Sequence, residues 1–271
     1  PSSSVSALNN VAGDIVVGTP HSLLYSSGSA IAGGDGWSAI LGGFGHEITS
    51  AASGRNVIVG GYSNTVSGNY AGGIFAGNGN EVSAGRGVIL GGDGNTISGG
   101  GGAYSGILGG VSNTVQGGGF GRSAIVGGEG NDINGHTRSV IVGGQNLSTS
   151  KADEVVVPSL STNGQVTGVV NTLTDAAGTT TMDCSLGNFF TLTMPAGGST
   201  TLTPSNITAG QTINVKITQN ATPSTIAFAA TVDFEGGTPF AVSTGASEVD
   251  VMTFISFDGT TLQATGLKNF S

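Results

Sequence analysis

Carboxylates are the first residues to test for chemistry, and this chain has few: 16 acidic side chains in 271 residues. Two pairs stand near enough for a glycosidase-type arrangement, Glu129 with Asp132, and Glu81 with Asp93 of the neighbouring repeat. In such a pair one carboxyl protonates the leaving oxygen while the other activates water or attacks the sugar. The same acids raise a second chemistry. Gly91-Gly92-Asp93-Gly94-Asn95-Thr96-Ile97 and Gly127-Gly128-Glu129-Gly130-Asn131-Asp132-Ile133 approach the calcium-binding nonapeptide, whose turns supply hard oxygen ligands. Each turn carries an asparagine, Asn95 or Asn131, and the repeat is nearly twice as long. These asparagines therefore read as structural. His21, His46 and His136 show no metal-ligating spacing with a carboxylate or cysteine. No catalytic residue, metal or cofactor is expected, and the chain reads as a non-enzyme.

The cations give a third possibility. Arg55, Arg86, Arg122 and Arg138 each fall in a variable stretch shortly before an Ile-containing strand. On a stacked array they would line up beside Tyr70, Tyr104 and Phe120 as a contact surface for an anionic glycan or a protein partner. The alternative is that they cap strand ends and pair with nearby acids. The formal charge is −9, with only 7 basic side chains and no basic cluster, so nucleic-acid binding lacks its electrostatic footprint. No apolar run reaches the roughly 18 residues of a membrane-spanning helix, so membrane insertion is not expected. Pro1-Ser2-Ser3-Ser4-Val5 lacks the charged and apolar regions of a signal peptide. A lone Cys184 admits no intrachain disulfide and reads as a small buried apolar residue.

A repeat positions most of these residues. An Ile, a bulky apolar residue and usually Gly-Gly recur from Ile40, Ile58, Ile74, Ile89, Ile107, Ile125 and Ile141, the glycine pairs 15 to 18 residues apart. Three residues past the second glycine stands Asn64, Asn80, Asn95, Asn113 or Asn131, with His46 there in the first copy. Two residues later comes Ile48, Val66, Val82, Ile97, Val115 or Ile133. Self-similarity at a short period marks a solenoid whose units cannot fold alone. Gly-Gly supplies a turn with positive φ, and the asparagines should stack as a ladder about 4.8 Å per coil. About three inward apolar side chains per coil are too few to offset backbone entropy. The expectation is therefore a parallel homotrimer sharing a central column of Ile40, Ile58, Ile74, Ile89, Ile107, Ile125 and Ile141.

The phrase Ile-Val-Gly-Gly-x-x-Asn-x-Val-x-Gly resembles the head repeats of trimeric autotransporter adhesins and similar segments of phage tail-fibre proteins. That resemblance implies a trimeric left-handed β-roll. Val140-Ile141-Val142-Gly143-Gly144, followed by Val155-Val156-Val157-Pro158-Ser159-Leu160, is similar to the exit from such arrays. With no adhesin membrane anchor in the sequence, the virus side of the resemblance is the expectation.

Beyond Lys151-Ala152-Asp153-Glu154 the composition changes to alternating strands with turn signals between them, cleanest in Thr212-Ile213-Asn214-Val215-Lys216-Ile217-Thr218. The spacing predicts an antiparallel β-sandwich. Asn188-Phe189-Phe190-Thr191-Leu192-Thr193, Asp250-Val251-Met252-Thr253-Phe254 and Phe257-Asp258-Gly259-Thr260 resemble C-terminal domains of phage tail-fibre-like proteins. The expected organisation is all-β: an attachment arm over 1–27, a β-solenoid shaft of about seven coils over 28–150, a linker over 151–160 and a β-sandwich knob over 161–271. The functional expectation is a homotrimeric bacteriophage tail fibre or receptor-binding protein, made in the host cytoplasm and carried on the virion. Its knob would adhere multivalently to a host surface glycan or protein, and its arm would bind other virion proteins. Alternatives are a capsid decoration or head-fibre protein, a polysaccharide depolymerase and a bacterial adhesin.

Overall fold

The computed structural model describes residues 15–18, 22–33, 37–50, 54–99, 104–116, 121–176 and 178–270. The chain divides into two units, 1–161 and 162–271. Among the described residues both are built from strands, the second with 3-10 turns at Cys184–Leu186 and Glu235–Gly237.

The first unit is a β-solenoid. Each coil contributes a strand to a first sheet, turns at its glycines, contributes a strand to a second sheet, and returns through the variable stretch. The first sheet has ten strands, of which Ile15–Gly18 alone pairs antiparallel; the other nine stack in parallel from Ser22–Tyr25 to Val155–Val156. The second sheet has seven parallel strands, Ala30–Gly33 to Asp132–Asn134. Nine rungs at about 4.8 Å make a stack near 40 Å long. The array thus begins before residue 28 and continues past 150, two rungs beyond the seven expected. Neither end has the full Ile-x-Gly-Gly-x-x-Asn phrase, so counting that phrase undercounts the rungs. Residues 1–14 and 19–21 of the expected arm, His21 among them, lie outside the described residues.

Inside the coil, one Ile from each of seven first-sheet strands packs with an Ile or Val column of the second, and these form a single apolar cluster. Ile40, Ile58, Ile74, Ile89, Ile107, Ile125 and Ile141 are all 0% exposed in the single chain. This corrects their assignment to a core shared among three chains: they are enclosed by their own coil and leave no surface for a neighbour. The core closes because polar ladders and glycine contacts seal the coil where apolar residues are absent.

Glycine is required at one position per rung. Gly61, Gly77, Gly92 and Gly110 have φ of 102°, 97°, 97° and 96°, and a Cβ on any of them would run into the carbonyl of the glycine one rung along. The preceding position is looser: a Cβ on Gly60 or Gly91 meets nothing within 4 Å, and Ala76 occupies that place in the third copy.

The second unit holds a six-stranded and a four-stranded sheet around one apolar cluster that includes Phe190, Leu202, Val215, Met252 and Phe254. Strand direction departs from the expected antiparallel arrangement. Val170–Leu173, Phe189–Thr193 and Thr212–Thr218 pair in parallel in one sheet. Thr179–Asp183, Ser199–Ser205 and Thr225–Phe228 do so in the other. Successive strands alternate between the sheets, so each sheet receives strands running the same way. Only Val249–Ile255 brings antiparallel pairing to the larger sheet, against Thr212–Thr218 and Leu262–Leu267. Alternation of buried and exposed residues identifies a one-sided strand but not its direction, which is why the sequence pattern did not separate the two cases.

Candidate functional site

Strand alternation fixes what the solenoid shows outside. In each first-sheet strand the Ile and the residue two before it point inward, and the residues between and beyond them point outward. The position after each Ile holds Leu41, Val59, Phe75, Leu90, Leu108, Val126 and Val142, each exposed, from 36% at Val59 to 49% at Leu108. The position before it holds Ala39, Val57, Gly73, Val88, Gly106, Ala124 and Val140. The first column is apolar and exposed over seven consecutive rungs, and the second holds Ala, Val or Gly. Monomeric proteins rarely expose an apolar surface of this continuity.

Two further columns flank this face. At the start of the strands, three residues before each Ile, stand Trp37, Arg55, Ala71, Arg86, Tyr104, Arg122 and Arg138. Beyond the glycine corner runs a ladder of single bridges through Phe44, Tyr62, Asn78, Asp93, Val111, Glu129 and Gln145. Each sequence-predicted arginine therefore lies in one column, with different surroundings. The Arg86 guanidinium sits over the rings of Tyr70 and Tyr104, 4.8 and 4.9 Å from their centroids. Such stacking leaves its N–H edges available to an acceptor. Arg138 donates to both oxygens of Asp153, at 2.5 and 2.7 Å, and holds that carboxyl below the usual carboxylate range. Arg122 and Arg138 have φ of 50° and 60°, a region that costs an L-residue on the order of 1 kcal/mol. Phe120, expected beside them, lies outside the described residues.

In the bridge column Phe44 stacks on Tyr62 at 5.5 Å. Asp93 accepts from the side-chain amide of Asn78, and Glu129 from that of Gln145. The carboxylates considered for hydrolysis occupy different columns: Asp93 and Glu129 lie on the bridge ladder, whereas Glu81 and Asp132 lie in second-sheet strands.

Asn64, Asn80, Asn95, Asn113 and Asn131 are buried in an unbroken ladder. Asn95 is typical. Its Nδ2 donates to Asn80 Oδ1, Gly91 O and Gly110 O at 3.1, 3.2 and 2.9 Å, and its Oδ1 accepts the N–H of Asn113 at 3.0 Å. Asn95 and Asn131, in the two turns that approach the calcium motif, thus spend their oxygens on the next rung, Asn131 on the N–H of Leu147. His46 begins the ladder. Its Nδ1 accepts the Asn64 N–H at 3.1 Å, and its Nε2 faces the Gly42 and Gly61 carbonyls without a hydrogen bond of good geometry. Burial lowers its pKa below the ordinary histidine value.

A second ladder escaped the sequence reading. Two residues before each Ile, Ser38, Asn56, Ser105, Ser123 and Ser139 are buried, and their side-chain oxygens accept backbone N–H groups one rung on. The signal was a small polar residue at one fixed offset, hidden because Gly72 and Gly87 interrupt it.

In the second unit, a depression of about 400 Å³ is lined by Phe234, Ile255 and Ala264, with Asp233 and Glu235 beside them. Cys184 is buried, and burial pushes its thiol pKa up, as for an unreactive cysteine. Comparison with family models, curated proteins and solved structures finds no match to this chain.

Proposed function

We propose that the protein is a non-enzymatic structural subunit of a virus particle, of the tail-fibre type. Three copies associate in parallel through their solenoids, and the second unit of each supplies an adhesive surface. The observation that carries this reading is the apolar outer face of the first sheet, unbroken from Leu41 to Val142 in a chain with only 8% charged residues. Left in water, such a face favours association of edges and faces with other chains. Three copies of a weak adhesive site on one assembly bind far more tightly than one, because the second and third contacts form at high effective concentration. The Phe234–Ile255 depression is the candidate adhesive site.

Native mass spectrometry and sedimentation give the first test, with a species of three times the 26.4 kDa chain mass expected. A chain that stays monomeric at micromolar concentration would falsify the oligomer. Cryo-electron microscopy of the particle then separates the placements. Density on the tail is expected, whereas density over capsid lattice points would replace the adhesive reading with capsid decoration. Release of reducing ends from envelope polysaccharide would overturn the non-enzymatic assignment.

A further inference from the structure

The two columns flanking the apolar face match each other rung by rung. Counting along one coil, Arg86 and Asp93 belong to the same rung, as do Arg122 and Glu129. Tyr104 shares a rung with Val111, and Arg55 with Tyr62. When two parallel copies turn their first sheets toward a common axis, the arginine column of one meets the bridge column of the next. We infer that the chains associate through this face in zero axial register, with Arg86 of one copy pairing with Asp93 of the next and Arg122 with Glu129.

The inference rests on the oligomer proposed above and adds its register and the charge pairs that fix it. Orientation follows from charge. Antiparallel copies would set arginine column against arginine column and the carboxylates of the bridge column against one another, which opposes association. Register follows from charge together with closure. A one-rung displacement leaves Asp93 opposite Tyr104 or Ala71. A two-rung displacement again places carboxylates on arginines, Arg55 on Asp93 and Arg86 on Glu129. Repeated around an axis, however, any displacement builds an open helical filament, and only zero shift closes a ring. The stacking of Arg86 between two tyrosines supports the assignment, because it fixes the guanidinium and leaves its N–H edges to a partner. So does the left-handed backbone of Arg122, a strained place for an arginine that glycine would occupy without cost.

Charge reversal on full-length protein tests this. R86E/R122E should raise the concentration at which the oligomer dissociates by about a hundredfold or more, and D93R/E129R should do the same. The four-site swap R86E/R122E/D93R/E129R should return most of the lost affinity. Cysteines at Tyr104→Cys and Val111→Cys in one chain should give covalent closed oligomers on oxidation, and neither alone should do so. This second measurement leaves all charges intact, so it still decides the matter where a reversed variant fails to fold. A wild-type chain that remains monomeric overturns the oligomer and the register together. A wild-type trimer indifferent to charge reversal, with no cross-link at this pair, overturns the register alone and leaves the oligomer standing.

Discussion

The two units solve the same problem, burying strands on one side, with different materials. The solenoid encloses one Ile and one Ile or Val per rung and closes the rest of the coil with hydrogen-bonded asparagine and serine. The second unit buries large side chains, Phe190, Phe254 and Met252 among them, between two sheets. Its strands are longer, seven residues in Thr212–Thr218 and in Val249–Ile255, against two in Val57–Ile58. A thin coil depends on its backbone geometry and polar ladders, whereas a two-sheet core depends on volume. The apolar outer face belongs to the solenoid because its inward positions are too few to hold all of its apolar residues.

That contrast can be broken at one glycine. Gly92→Ala should unfold the rungs around it, since φ is 97° and the new methyl group would overlap the Gly110 carbonyl and crowd the Asn95 amide. The expected loss is above about 4 kcal/mol, the range of severe backbone and overpacking defects. Gly91→Ala, one residue away, should change stability by less than about 0.5 kcal/mol, because its Cβ meets nothing. Hydrogen exchange resolved by segment checks both, and equal loss in the two variants would remove the distinction between the glycines. In the second unit the matching defect is a void. Phe254→Ala should cost about 3–5 kcal/mol, read as lost protection over Val249–Ile255 with the solenoid strands unchanged.

Removing a ladder rung tests the solenoid's dependence on polar closure. Asn95→Ala deletes the acceptor of the buried Asn113 N–H, which is left unpaired, and one of the two donors to Gly110 O, which keeps the N–H of Asp93. A loss of about 1–3 kcal/mol is expected, the cost of one unsatisfied buried group. Urea unfolding monitored by circular dichroism measures it. A loss under 0.5 kcal/mol would mean that water or neighbouring carbonyls replace the side chain without cost.

The solenoid was legible wherever one residue type recurs at one offset. Ile-x-Gly-Gly and the following asparagine are local signals, and each has a single physical reason to recur. The coil's inside and outside were harder to assign. Ile40 and Leu41 are adjacent and both apolar, and only strand pairing shows that one is sealed within its own coil while the other faces out. The column expected to face a shared axis is therefore the one that each coil encloses. The relation of Arg86 to Asp93 was legible in the fixed seven-residue offset within each rung, but its meaning required knowing that both flank one face. In the second unit, the buried side chain of Asp250 accepts the N–H of Ser243 and the N–H of Asn269, contacts with no local sequence signature.

The smallest effect lies at the ladder's first rung, where histidine replaces asparagine. His46 is buried, its Nδ1 accepts the Asn64 N–H, and burial lowers its pKa below the ordinary 6.5. Protonation would charge a sealed ring and turn that acceptor into a donor facing another donor. The unfolded chain has no such penalty and takes up its proton near pH 6.5. Below that pH the unfolded state binds more protons than the folded one, so stability is complete above 6.5 and declines as pH falls toward the folded pKa. Amides of Glu47–Ser50 should therefore lose protection between pH 7 and 5, after correction for intrinsic exchange, while those around Thr114–Gln116 hold theirs. His46→Asn should flatten the dependence and extend the ladder, because an amide there can donate to the Gly42 and Gly61 carbonyls as Asn64 does to those of Gly60 and Gly77. An imidazole that titrates at its ordinary value by NMR, with no loss at Glu47–Ser50, would show that the first rung opens to water and that the polar seal begins only at Asn64.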